Sequence, residues 1–139
     1  MNREMVYVVL LNWNGWSDTI ACLESLFSSV EVPLRVVVCD NASIDGSLDK
    51  IADWADGIQQ AKAPAHPRLS RLLSSNVGKI KYKKITRVEA ERGSDGYLDE
   101  EYTSLILIEN GANLGFAAGN NVGMRFALSQ ADMGYVWLL

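Results

Sequence analysis

A doubly wound α/β fold on a mostly parallel sheet is predicted by three observations on this 139-residue chain. Four short, β-branched apolar runs recur: Val6–Leu11, Leu34–Cys39, Leu105–Ile108 and Tyr135–Leu139. They are continuous rather than alternating, as strands covered on both faces must be. Stretches with apolar residues at helical spacing separate most of them, which implies βαβ units with right-handed crossovers.

The first run stops at Asn12-Trp13-Asn14-Gly15. Ser17 then suits a helix N-cap, with Asp18 in the first turn. Ile20, Leu23, Leu26, Phe27 and Val30 follow at helical spacing until Pro33 enforces a break. The second run stops at Asp40-Asn41-Ala42-Ser43, and Ser43 or Asp45 can cap a helix whose apolar face is Leu48, Ile51, Ala52 and Ala55. The third run stops at Glu109 and leads through Asn110-Gly111-Ala112-Asn113-Leu114-Gly115 into a helix over Phe116–Gln130. Ala118, Val122 and Phe126 form its expected apolar face, extended by Met124 and Leu128. Gly134 resets the chain for the last run.

Residues 60–103 break this rhythm and read as a β-excursion inserted into the domain. Ala61–Pro67 is a proline-bearing connector, and Gly93-Ser94-Asp95-Gly96 is a turn signal. Between them, Lys79–Glu91 alternates charged with apolar or aromatic residues, the pattern of a half-exposed edge strand, as in a hairpin. Its lysines discourage edge pairing.

The chain is 48% hydrophobic, so it fits one domain able to bury a core. A formal net charge of -4 argues against a dedicated nucleic-acid binder, whose footprint is basic. No run reaches the roughly 20 apolar residues of a membrane span, and no signal-like region opens the chain. A cytoplasmic protein is the expectation. Cys22 and Cys39 offer no disulfide framework and read as buried, reduced thiols. The single histidine, His66, reads as a loop residue without catalytic partners.

In open parallel sheets ligands bind beyond the carboxyl ends of the strands, and three of the four runs end there in polar clusters. Asp40 and Asn41 can hydrogen-bond a base edge or a sugar hydroxyl in one plane; Asp40 and Ser43 can equally cap the next helix. Trp13 offers a stacking face for a base or a core-packing group. Glycines at 111, 115, 119 and 123 let backbone approach a ligand at a helix N-terminus. For Gly119 and Gly123, close helix packing is the rival reading. Neither the dinucleotide nor the Walker-A glycine pattern is present.

Taken in order, four stretches carry a resemblance: Val8–Gly15, Val36–Ser43, Asn113–Asn121 and Tyr135–Leu139. The chain resembles the N-terminal, nucleotide-binding part of a family-two glycosyltransferase with the Rossmann-like GT-A fold, particularly the rhamnosyltransferase-like branch. The resemblance implies that Asn12, Trp13 and Asn14 contact the nucleoside, and that Asp40 and Asn41 read base and ribose. It places Asn113 and Gly115 beside the ribose and diphosphate, with Asn120 and Asn121 shaping the pocket one helical turn later. It implies a nucleotide sugar (dTDP-, UDP- or GDP-linked) as donor and a saccharide or lipid-linked acceptor, as in polysaccharide or glycolipid synthesis. The complete enzyme would use Mg²⁺ or Mn²⁺ held by a D-x-D-type cluster, and a later acid as catalytic base. Both are expected beyond Leu139, so the chain reads as truncated and inactive alone, from a full-length protein that is cytoplasmic or peripheral to a membrane. The alternatives are a non-catalytic nucleotide-binding or interaction module, and a nucleotidyltransferase, which would carry a basic, glycine-rich loop after its first strand.

Overall fold

The computed structural model describes residues 4–61, 77–93 and 103–139. Its elements run β1 (Met5–Asn12), α1 (Trp16–Ser29), β2 (Leu34–Asp40), α2 (Ser47–Ala55), β3 (Tyr82–Thr86), α3 (Arg87–Arg92), β4 (Leu105–Glu109), α4 (Gly115–Leu128) and β5 (Met133–Leu138). The strands form one five-stranded sheet in the order β3-β4-β2-β1-β5, with every neighbouring pair parallel. All four apolar runs are strands of this sheet.

Strand alternation divides the core into two layers. Val8, Leu10, Val36, Val38, Leu105 and Leu107 point to one face, where α1 and α2 cover them with Ile20, Leu23, Ile51 and Trp54. Val9, Val37, Cys39, Ile106 and Ile108 point to the other, under Val122, Phe126 and Ala127 of α4 and Ala90 of α3. The chain steps from β1 to β2 to β3 over the first face and returns through β4 to β5 over the second. Direction along the sheet and the face of the described helices reverse together, as in a doubly wound sheet.

The segment read as an inserted β-excursion is described only in part. Its lysine-bearing stretch does form an edge strand, but β3 runs parallel to β4 as a member of the main sheet rather than as a hairpin arm. The strand also stops earlier than the alternation implied, because Arg87–Arg92 is helical. Thr86 and Glu89 explain the stop: the Thr86 side chain accepts from the Glu89 amide, and the Glu89 carboxylate accepts from the Thr86 amide. This capping box satisfies two of the new helix's free amides. Most of the proline connector, His66 and Ser94–Gly96 lie outside the described residues.

Three helix details also differ from expectation. Gly15, not Ser17, caps α1, and Gly46 caps α2 in the left-handed region, neither with a side-chain hydrogen bond. Asp45 still accepts from the Ser47 amide at 3.0 Å, whereas Ser43 bonds elsewhere. On α4, Ala118 and Leu128 are exposed, and the buried stripe is Gly119, Val122, Gly123, Phe126 and Ala127. The helix therefore presents its glycines to the sheet. The two small residues bring it close enough for Val122 and Phe126 to reach the core.

Both cysteines are free, Cys39 buried and Cys22 half-buried. Burial pushes the Cys39 thiol from its usual 9.0 up to about 12, and the Tyr7 hydroxyl is raised first by burial and then by its bond to Asp132. Both groups are neutral when protonated, and the unfolded chain releases these protons at their ordinary values. Above pH 9 the unfolded state therefore holds fewer protons than the native state, and stability falls as pH rises. The stabilisation tied to Cys39 is complete below pH 9 and is lost as pH climbs towards 12. Guanidinium midpoints are expected to decline through that window and to decline less in Cys39→Ala. An aromatic disulfide reagent at pH 8 should label Cys39 only on unfolding. Rapid native labelling of Cys39 would contradict the burial argument.

Candidate functional site

The helix after β2 covers one face of the sheet and the helix after β4 covers the other. The carboxyl ends of β2 and β4, which are paired neighbours, therefore separate at a topological switch point, where open sheets bind ligands. A crevice of about 390 Å³ lies there. Asp40, Ala42 and Ser43 form one wall and Glu109 and Gly111 another; the first turn of α2 and Lys84 of β3 complete it.

The strand ends deliver their side chains by parity. Asn12 pairs in register with Asp40, and Asp40 with Glu109. All three follow the residues that point towards α1 and α2, as does Lys84 after Tyr82. Asp40 is 4% exposed, and both its oxygens are engaged. Oδ1 accepts from Asn12 Nδ2 at 2.8 Å and from Ser43 Oγ at 2.6 Å; Oδ2 accepts from the Ser43 amide at 3.0 Å. Asn12 is buried too, its Oδ1 accepting from Thr19 Oγ1 of α1 at 2.7 Å. This network anchors the strand ends to the helix that follows β1.

Asn14 ties the two loops together from outside. Its amide donates to Ser43 Oγ at 2.9 Å and its Oδ1 accepts from the Ile44 amide at 2.8 Å. Asn14 and Ala42, with φ of 49° and 58°, are the non-glycine residues with left-handed backbone among those described. For Ala42 this conformation costs about 1–2 kcal/mol. The surrounding hydrogen bonds hold it, a pattern typical of binding loops.

The other expected residues sit on the opposite face. Asn41 is 2% exposed, and its amide lies against α4. Its Oδ1 accepts from Asn110 Nδ2 at 2.8 Å, and its Nδ2 donates to the Gly115 carbonyl at 3.0 Å. Asn113 Oδ1 receives the Gly115 amide at 3.0 Å and lies 3.4 Å from Asn41 Nδ2. Gly115 has a φ of 79°, a conformation that glycine adopts without strain. Asn120 is buried, donating to the Phe116 carbonyl at 3.0 Å, while its Oδ1 and that of Asn110 have no partner among the described residues.

The structure thus puts Asp40 in the crevice wall, with Asn12 and Asn14 outside the lining and bonded to Asp40 and Ser43 respectively. It gathers Asn41, Asn113 and Gly115 into an amide chain beneath the start of α4. Trp13 is 58% exposed, so it is no core residue, and it does not line the crevice. Sequence reading passed over three groups that do line it: Glu109, Lys84 and Asp49. Glu109 had its signal, ending an apolar strand as Asp40 does. Asp49 enters with the first turn of α2, and Lys84 enters only because β3 docks beside β4. Lys84 Nζ lies 3.3 Å from Glu109 Oε1 and 3.7 Å from Asp49 Oδ1. In such exposed positions these pairs add little to stability.

Among the described residues, no three His, Cys, Asp or Glu side chains gather as a metal site, and no helix is long and apolar enough to cross a membrane. No protein-family model matches the chain, and no curated protein or solved structure matches it.

Proposed function

We propose that this chain is the nucleotide-sugar-binding part of a GT-A glycosyltransferase of family two, with the switch-point crevice taking the nucleoside of the donor. The observation that carries the reading is the convergence of the β1, β2 and β4 strand-end clusters on one double-wound edge. A crevice of about 390 Å³ lies in the range of small-ligand sites, which begins near 300 Å³. Its walls offer acceptor oxygens for the hydroxyls and N–H groups of a nucleoside. In the exposed first turn of α4, Asn113 takes the Gly115 amide and Leu114 supplies no side-chain cap, so the next amides of the turn face outward for an anion beside it.

In the complete reaction the acceptor hydroxyl attacks the anomeric carbon, and the bond to the diphosphate breaks with inversion. The described residues contribute recognition and positioning. Asp40 fixes the loop geometry through Asn12 and Ser43, so a bound nucleoside meets preset walls rather than a mobile loop. The divalent-metal donor set that the resemblance implies does not assemble among these residues, and no step assigned to them passes through a metal.

The test is calorimetric titration with UDP, dTDP and GDP. At least one is expected to bind, and Asp40→Ala should weaken it. Asp40 acts by holding the loops, and ordering a loosened side chain costs about 0.5–1.5 kcal/mol, or roughly two- to tenfold in affinity. Equal affinity for wild type and Asp40→Ala would remove Asp40 from the site. Absence of binding by all three diphosphates would remove the reading itself.

A further inference from the structure

We infer that the crevice reads guanine, through Glu109 as acceptor and Lys84 as donor. The inference rests on the nucleoside-binding reading of that crevice and names the base. Its first support is the charge of the walls. Asp40, Asp49 and Glu109 face the space against a single lysine, Lys84. Three carboxyl groups against one ammonium repel a diphosphate, so the end of a nucleotide that enters is the uncharged nucleoside, and the phosphates stay outside.

The second support is which groups still have bonding capacity. Asp40 has its oxygens engaged by Asn12 and Ser43, and is 4% exposed. Glu109 and Lys84 remain accessible, with side chains 46% and 39% exposed, and Asp49, 86% exposed at the outer rim, pairs with the same lysine. An ionised carboxylate offers two oxygens that accept and never donate; a lysine ammonium offers three N–H groups that only donate. Lys84 directs its ammonium to Glu109 at 3.3 Å and Asp49 at 3.7 Å, which leaves donor capacity for a ligand.

The third support is the order of the groups. A donor beside a two-oxygen acceptor matches a base edge that presents one acceptor followed by two donors. Guanine presents O6, then N1–H, then the N2 amine. Lys84 Nζ donates to O6, and the Glu109 oxygens accept N1–H and N2–H together. Uracil and thymine present acceptor, donor, acceptor, which leaves one carboxylate oxygen facing a carbonyl oxygen. Adenine and cytosine present an amine beside a bare ring nitrogen, which offers a carboxylate one donor and one repulsive lone pair. Leu48, Ala42 and Gly111 give the crevice walls without bulky polar groups, against which the base faces can rest.

The experiment compares GDP, IDP, UDP and dTDP by titration calorimetry on the intact chain. IDP is GDP without the N2 amine, so it isolates one of the two hydrogen bonds to Glu109. GDP is expected to bind at least about tenfold tighter than UDP or dTDP, in line with the discrimination that one good bidentate base contact provides. IDP should fall between them. Glu109→Gln should weaken GDP about tenfold and shrink the GDP-to-IDP gap, and Lys84→Met should weaken GDP and IDP alike. Circular dichroism of both surface variants checks that they fold. UDP or dTDP binding as tightly as GDP overturns the guanine assignment while leaving the nucleotide-sugar reading intact. A GDP preference unaltered in both folded variants also overturns it, because the base is then read elsewhere. Absence of binding by all four overturns both.

Discussion

Gly123→Val is expected to destabilise the fold by more than about 3 kcal/mol, at or beyond the upper end of ordinary overpacking. A Cβ at position 123 would stand 2.5 Å from Cys39 Sγ, 2.9 Å from Val9 Cγ1 and 3.3 Å from Val37 Cγ1. These neighbours are fully buried in two central strands, so no side chain can swing into solvent. Alanine poses the sharper question. In a helix interior it gains roughly 1 kcal/mol over glycine, whereas here its methyl group meets two side chains below 3 Å. Overpacking of about 1–3 kcal/mol outweighs that gain, so Gly123→Ala should lower the melting temperature. Adding Cys39→Ala removes the nearest atom, and the double variant should recover part of the loss as a favourable coupling. Thermal denaturation of the three variants checks this. A higher melting temperature for Gly123→Ala would mean that the helix does not rest on the sheet as closely as described.

That contact decides between the two readings open for the glycines spaced by four. Gly119 and Gly123 serve close packing: a Cβ at 119 would stand 2.7 Å from both Leu11 Cδ1 and Asn41 Oδ1. Gly111 and Gly115 meet no neighbour there and have left-handed φ, so they serve the turn. A single sequence spacing thus covers two physical jobs, and spacing alone cannot separate them.

The sheet was legible for a simpler reason. Strands buried on both faces need continuous β-branched runs, and Val36-Val37-Val38-Cys39 has no other ready explanation. Position 86 shows where legibility failed. Lysines alternate with apolar or aromatic residues up to it, but Thr86 and Glu89 form a capping box that turns the chain into a helix. The signal was in the sequence, and the strand periodicity masked it. The site divided in the same way. Clusters at three strand ends announced where a ligand belongs, but not which side chains reach it. Asp40 and Asn41 are adjacent and so point to opposite faces. Which face holds the crevice depends on where α2 and α4 pack. Lys84 joins Glu109 only through the docking of β3 beside β4, a long-range pairing without a local sequence signal.

Arg35→Met should cost about 2–3 kcal/mol, concentrated at the amino end of the sheet. Arg35 is 7% exposed, an uncommon setting for arginine, and its guanidinium holds three elements together. Nε donates to the Thr103 carbonyl at 3.0 Å, just before β4, and Nη1 donates to the Tyr7 hydroxyl of β1 at 2.8 Å. Nη1 also pairs with Asp132, which leads into β5 and accepts the Tyr7 proton at 2.7 Å. Methionine keeps the stem volume but takes the Arg35 donor from the Thr103 carbonyl and the cation from the Asp132 carboxylate, to which the Tyr7 hydroxyl still donates. Breaking a fully buried pair costs about 3–5 kcal/mol. The Asp132 side chain is 35% exposed, so water recovers part of that loss and the lower figure applies. Tyr7→Phe removes one hydroxyl and leaves the ion pair, so its loss should be smaller, near 1 kcal/mol. The ordering Arg35→Met well below Tyr7→Phe, read from urea midpoints, is the expected result. Since this network lies at the end of the sheet opposite the crevice, Arg35→Met should leave nucleotide affinity unchanged at temperatures where it is folded. A fall in affinity without unfolding would show the two ends of the sheet to be coupled.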